Sequence, residues 1–175
     1  MNIPIFMNEK DRSLLKDLFT EEELDAFQPV KEGMKFDLGK RKLEIISCAG
    51  HTPGSMCALD WDNRELFTGD AIGSGGLWMQ LPESLYLTDY MNSLLEFRKN
   101  LVGASDLRIY PGHIDQARKP MTMSYLDDLM SLVTDVLTGK KKGEPKEMTV
   151  GPHHISCLET GSDEVWAMLY KDVNK

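Results

Sequence analysis

The sequence predicts an α+β fold. Three observations carry that expectation: strand-like segments follow one another from Met34 to Thr68 across Gly, Asn and Asp turns, segments with helical apolar spacing flank that run, and two more strand-like segments stand near the C-terminal end. At 175 residues the chain has the length of one domain, and 41% apolar residues are enough to bury a core. We divide it into a domain over 1–140 and an extension over 141–175, whose strand pair is expected to pack on the same domain.

In chain order, Ile3 to Met7 reads as a short strand, and Asn8 offers an N-cap before Glu9-Lys10-Asp11-Arg12. Leu14, Leu15 and Leu18 give that first helix an apolar face. Thr20 caps a second, short helix, with Glu23 as its capping-box partner, Leu24 and Phe27 as apolar positions and Pro29 as the stop. Strands are then expected at Phe36–Leu38, Leu43–Cys48, Met56–Trp61 and Glu65–Thr68, with Asp62-Asn63 as the hairpin turn between the last two. Thr88 caps a helix through Tyr90, Leu94, Leu95 and Phe97, and Leu107–Tyr110 is another strand. A long helix runs from Met123 to Leu137, with Leu126, Leu129, Met130, Val133 and Leu137 on one apolar face, and stops at Gly139. Lys140-Lys141-Lys142 then complements the helix dipole and reads as a solvated face. The tail holds strands at His154–Leu158 and Val165–Tyr170.

The formal net charge of −8 argues against nucleic acid or an anionic membrane surface as partner and leaves a small-molecule substrate as the expectation. Met1 to Met7 lacks the basic flank and apolar length of a signal peptide, which points to a cytoplasmic location. Cys48, Cys57 and Cys157 are an odd number at no metal-ribbon spacing and read as buried small hydrophobes.

Chemistry concentrates at three strand ends. His51, Asp70 and His113 each follow a predicted strand in a loop stiffened by Gly or Pro: Gly50-His51-Thr52-Pro53-Gly54-Ser55, Thr68-Gly69-Asp70 and Tyr110-Pro111-Gly112-His113. Singly, each is as well explained as a hydrogen-bonded or capping loop residue. Together, on strands running the same way in one sheet, two imidazoles and a carboxylate would converge as N/O donors suited to zinc, iron or manganese. His153 and His154 are adjacent, so a strand turns them to opposite faces. Trp78 and Met79, after the Asp70 loop, are expected to pack in the core, with a pocket wall as the alternative.

These three motifs, in this order and at these separations, resemble the third, fourth and fifth metal motifs of the metallo-β-lactamase superfamily, and the likeness extends over roughly residues 3–138. The resemblance implies an αββα sandwich hydrolysing an ester, thioester or related bond with one or two metal ions. It also implies that His51 is a ligand of the first metal, Asp70 the bridging carboxylate at the catalytic centre, and His113 a ligand of the second. The family places a His-x-His-x-Asp-His loop upstream, and this sequence has no histidine before His51. A metal there acidifies bound water to a pKa of roughly 7 only if it is held. The expectation is therefore the C-terminal portion of such a domain, inactive as this isolated chain, binding metal weakly or not at all, and associating as a homodimer through its uncovered strands. The alternative from another class is a non-catalytic remnant serving self-association or partner binding.

Overall fold

A computed structural model describes residues 3–172. The first strand, β1, is confined to Phe6–Met7 and pairs in parallel with β2 at Gln28–Pro29, so Ile3 to Ile5 lie outside the strand expected there. Between them Asn8 does cap a helix, its side chain accepting from the Lys10 amide, but Glu9–Leu15 is a 3-10 helix with no buried residue. Leu14 and Leu18 are exposed, which corrects the apolar face expected there: helical spacing buries a face only where something covers it. The helix α1, Glu21–Asp25, starts with the full capping box between Thr20 and Glu23, and Leu24 is completely buried.

Six strands then build one sheet. They are β3 (Lys35–Asp37), β4 (Lys42–Ser47), β5 (Met56–Asp60), β6 (Glu65–Gly69), and, after an intervening strand β7 (Gly76–Met79) and helix α2 (Leu87–Asn100), β8 (Arg108–Pro111) and β9 (Met121–Thr122). Helix α3 occupies Met123–Leu137 as expected and ends at Gly139, whose φ of 73° suits a C-terminal glycine, but Leu137, in the last turn beyond the covering core, is exposed rather than buried with Leu126, Leu129 and Val133. Helix α2 begins one residue before Thr88, so Tyr86 is its N-cap and Thr88 caps nothing. A second sheet has the order β10 (Glu144–Val150), β11 (His153–Thr160), β12 (Ala167–Tyr170), β7, the last two parallel. Residues 144–170 thus contribute three strands to a sheet whose fourth strand is β7.

One core joins both sheets and both long helices. Ile46, Leu59, Leu66 and Ile109 of the first sheet pack with Leu94 and Phe97 of α2, Leu126 and Leu129 of α3, and Leu77, Met79 and Met168 of the second sheet. The opposite face of the first sheet is covered less: Ile45, Ala58, Phe67 and Tyr110 form a cross-strand row that stays half-buried. No helix among the described residues is long and apolar enough to cross a membrane.

The hairpin between β5 and β6 is closed by Asp60. Asp62-Asn63 stands within the turn, but the positive φ falls on Arg64, at 57°, and Asp60 supplies the turn's acceptor. Its carboxylate accepts from the Asn63 amide and side chain, each at 2.9 Å, and from Arg41 at 2.7 Å. Burial disfavours the Asp60 charge, yet these donors outweigh it and hold its pKa at about 2 against the ordinary 3.8. A depressed carboxylate stabilises the fold above its unfolded pKa and loses that contribution as pH falls through the folded one. Stability should therefore decline between about pH 4 and pH 2, and Asp60→Asn should flatten that decline in thermal melts while lowering stability at neutral pH.

Candidate functional site

Strand direction brings the three sequence-selected residues together. Both β4 and β6 run antiparallel to β5, and β8 runs parallel to β6, so β4, β6 and β8 all end at one edge of the sheet. His51, Asp70 and His113 follow those ends and line one cavity of about 330 Å³, with Gly73, Gly76, Trp78, Leu81 and Gln116. A void of that size lies at the small end of ligand pockets.

Each loop has a local reason for its shape. His51 Nδ1 lies 2.8 Å from the Trp78 carbonyl oxygen. A carbonyl only accepts, so Nδ1 carries the proton and Nε2 of the neutral ring keeps its lone pair, the arrangement by which a backbone carbonyl fixes the tautomer of a ligating imidazole. The His51 carbonyl in turn accepts from buried Ser84 Oγ at 2.9 Å, and the Leu85 amide donates to Gly50 at 2.8 Å. His113 Nε2 is 3.5 Å from Asp70 Oδ1, with both side chains substantially exposed. Gly112 makes that approach possible: a Cβ there would stand 2.5 Å from Asp70 Oδ1.

Asp11 completes the support, and nothing in its local sequence marks it. Its carboxylate accepts from Thr52 Oγ1 at 2.6 Å and from the Gly54 amide at 2.7 Å, bridging the first 3-10 helix to the His51 loop. A Cβ on Gly54 would sit 2.6 Å from the Asp11 carboxyl carbon, so the motif's second glycine is required by this contact. Asp11 was expected only as a first-turn helix residue; its partners are far along the chain, and local pattern cannot reveal them.

Two further expectations divide. Met79 is fully buried in the core, whereas Trp78 is 43% exposed and forms part of the cavity wall, because alternation along β7 turns the two to opposite faces. His153 and His154 are both exposed on β11 and do not line the cavity; His154 Nε2 pairs with Glu147 at 3.2 Å.

The donor types suit a metal ion, but their number and arrangement do not complete a site. Among the described residues no group of three or more His, Cys, Asp or Glu side chains is placed to hold an ion in common. His113 and Asp70 approach one another, and His51 is turned toward Trp78 on the same cavity wall. The three cysteines are buried and free, and they take no part.

Comparison with known proteins gives the context of this site. The profile of the Metallo-beta-lactamase superfamily matches residues 2–113. Acyl-coenzyme A thioesterase MBLAC2 of Bos taurus is 30% identical over 95 residues, covering 53% of this chain and 34% of that protein. Hydroxyacylglutathione hydrolase GloC of Haemophilus influenzae is 30% identical over 118 residues, covering 61% of this chain and 54% of its own length. This chain therefore spans about a third to a half of the curated relatives it matches. Among solved structures, a metallo-beta-lactamase family protein of Thermus thermophilus superposes with a TM-score of 0.56 at 16% identity, over 83% of this chain and 58% of that one. A second, TTHA1623 in a di-iron-bound form, superposes with a TM-score of 0.51 at 20% identity, over 70% and 61%. At such identities the superpositions establish the fold alone.

Proposed function

The chain belongs to the metallo-β-lactamase superfamily, and from that premise we propose that it supplies the later donors and one wall of a metal-dependent hydrolase site acting on an ester or thioester. The observation that carries this reading is that His51, Asp70 and His113 follow three strands of the same direction and line one cavity. The thioester preference rests on one relative named an acyl-coenzyme A thioesterase and another named a hydroxyacylglutathione hydrolase. Asp70 is the proposed catalytic carboxylate, and His51 and His113 the proposed metal-binding imidazoles. Zinc, iron or manganese would suit these donors and would supply an acidified water once the remaining ligands are present.

On this reading the chain corresponds to the later part of the family's domain and does not turn over substrate alone. Support comes from the half-buried row Ile45, Ala58, Phe67 and Tyr110, a face of the kind a second sheet covers. The test is complementation: a segment carrying a His-x-His-x-Asp-His loop, fused ahead of this chain, should produce metal-dependent hydrolysis of a generic thioester, with this chain alone at background. The alternative is a non-catalytic module for self-association, favoured by exposed Ile3, Ile5 and Phe6. That alternative predicts no turnover from the fusion.

A further inference from the structure

The ring and the backbone of His51 are held by one stretch of chain, and that stretch has an anchor of its own. Trp78, on β7, supplies the carbonyl 2.8 Å from His51 Nδ1. From there the chain turns at Leu81–Ser84, where the Ser84 amide donates to the Leu81 carbonyl at 3.0 Å, and it enters α2 at the N-cap, Tyr86. On the way Ser84 Oγ donates to the His51 carbonyl at 2.9 Å, and the Leu85 amide donates to the Gly50 carbonyl at 2.8 Å. Leu81, at the same turn, lines the site cavity. A displacement of residues 81–85 would therefore disturb a cavity wall and the carbonyls of the two peptide units that flank the His51 Cα.

Lys171 holds this turn from the second sheet. It follows β12 directly, and its ammonium donates to the Pro82 carbonyl at 2.9 Å and to the Ser84 carbonyl, with the centroid of the Tyr86 ring 5.0 Å away. Alternate residues 82, 84 and 86 thus face one cation. Such charge-assisted hydrogen bonds are roughly twice as strong as neutral ones. Lys171 is also half-buried; burial lowers its pKa, against the opposing pull of Glu83, so water competes less for the ammonium. Ser84 is the shared link, because its carbonyl accepts from Lys171 while its buried hydroxyl donates to His51. The other lysine paired within this sheet, Lys146 on β10, spends its ammonium on Glu159 at 2.7 Å.

We propose that Lys171 is a positioning residue of the site: by gripping the carbonyls of Pro82 and Ser84 it fixes the turn that orients the His51 imidazole on the Trp78 carbonyl. It touches no reacting atom. That this orientation serves chemistry rests on reading His51 as a metal-binding imidazole; the orientation itself can be observed without metal or substrate.

Long-range ¹⁵N–¹H spectra of the 175-residue chain, at a pH that keeps imidazole neutral, report which ring nitrogen carries the proton. The His51 signals are assigned by their loss in His51→Ala. In the parent they should show a single tautomer with the proton on Nδ1, and in Lys171→Met they should shift toward a ring exchanging between both tautomers. Ser84→Ala should give the same shift, and the double variant should go no further, since both act on one link. Lys146→Met, which breaks an ion pair elsewhere in the same sheet, should leave the His51 signals in place. Lys171→Cys alkylated with bromoethylamine regains an ammonium of nearly the same reach and should recover the parent spectrum. Unchanged His51 signals in Lys171→Met, an equal shift in Lys146→Met, additive shifts in the double variant, or no recovery on alkylation would overturn the positioning role. Failed complementation with a His51 spectrum that still depends on Lys171 would overturn the hydrolase reading and leave the positioning role standing.

Discussion

Tyr90→Ala should lower the stability of this chain by about 3–5 kcal/mol, the range for removing a buried aromatic side chain. Tyr90 on α2 is fully buried, and its ring touches one site loop while its hydroxyl holds another. The Tyr90 hydroxyl donates to the Ala71 carbonyl at 2.7 Å, next to Asp70. A Cβ on Gly50, next to His51, would stand 2.5 Å from the ring. Removing the ring opens a cavity beneath both loops and leaves the Ala71 carbonyl without its donor. In a thermal melt the loss should appear as a fall of roughly 6–20 °C for a chain of this size. Tyr90→Phe keeps the volume and orphans only the carbonyl, so it should cost about 1–3 kcal/mol. Equal effects of the two variants would mean that packing under the loops contributes little.

The second large effect is on activity. With a His-x-His-x-Asp-His segment fused ahead of the chain, metal-dependent thioester hydrolysis should rise at least ~10²-fold above the isolated chain, a small part of the rate enhancements enzymes reach. In that fusion Asp70→Ala and His113→Ala should each return turnover close to background, because each removes a donor no neighbour replaces. Gly112→Ala should reduce it as well, through displacement of the Asp70 carboxylate that its Cβ would meet at 2.5 Å. Turnover that survives Asp70→Ala would place the chemistry elsewhere.

Much of this arrangement is legible in the sequence wherever local chemistry decides it. The capping box of Thr20 and Glu23, the span of α3, and the strands that carry His51, Asp70 and His113 follow from caps, period and turn residues. Strand β10 is not legible in the sequence, because Glu144-Pro145-Lys146-Glu147 is the charged, proline-containing pattern of an edge strand, with little apolar alternation. Strand β7 is four residues starting at a glycine, too short for periodicity to register. Its pairing partner, β12, is far along the chain. For that reason the exposure of Trp78 to the cavity, the His51 bond to its carbonyl and the Lys171 bonds to Pro82 and Ser84 were beyond a local reading. The same holds for Asp11, whose bonds to Thr52 and Gly54 appear only once the first helix meets the third loop.

In the reading proposed above, His51, Asp70 and His113 serve one metal site for which they are not the full set of donors. Calorimetric titration of the purified chain with Zn²⁺ tests it most directly. Three donors not assembled around a common point should bind no more than one ion, with a dissociation constant weaker than about 1 µM, or less than ~8 kcal/mol. Complete structural zinc sites release about 10–16 kcal/mol. His51→Ala should remove whatever binding is seen, since it deletes the imidazole whose Nε2 lone pair is already set by the Trp78 carbonyl. Tight binding of two ions per chain, or binding indifferent to His51→Ala, would contradict the account.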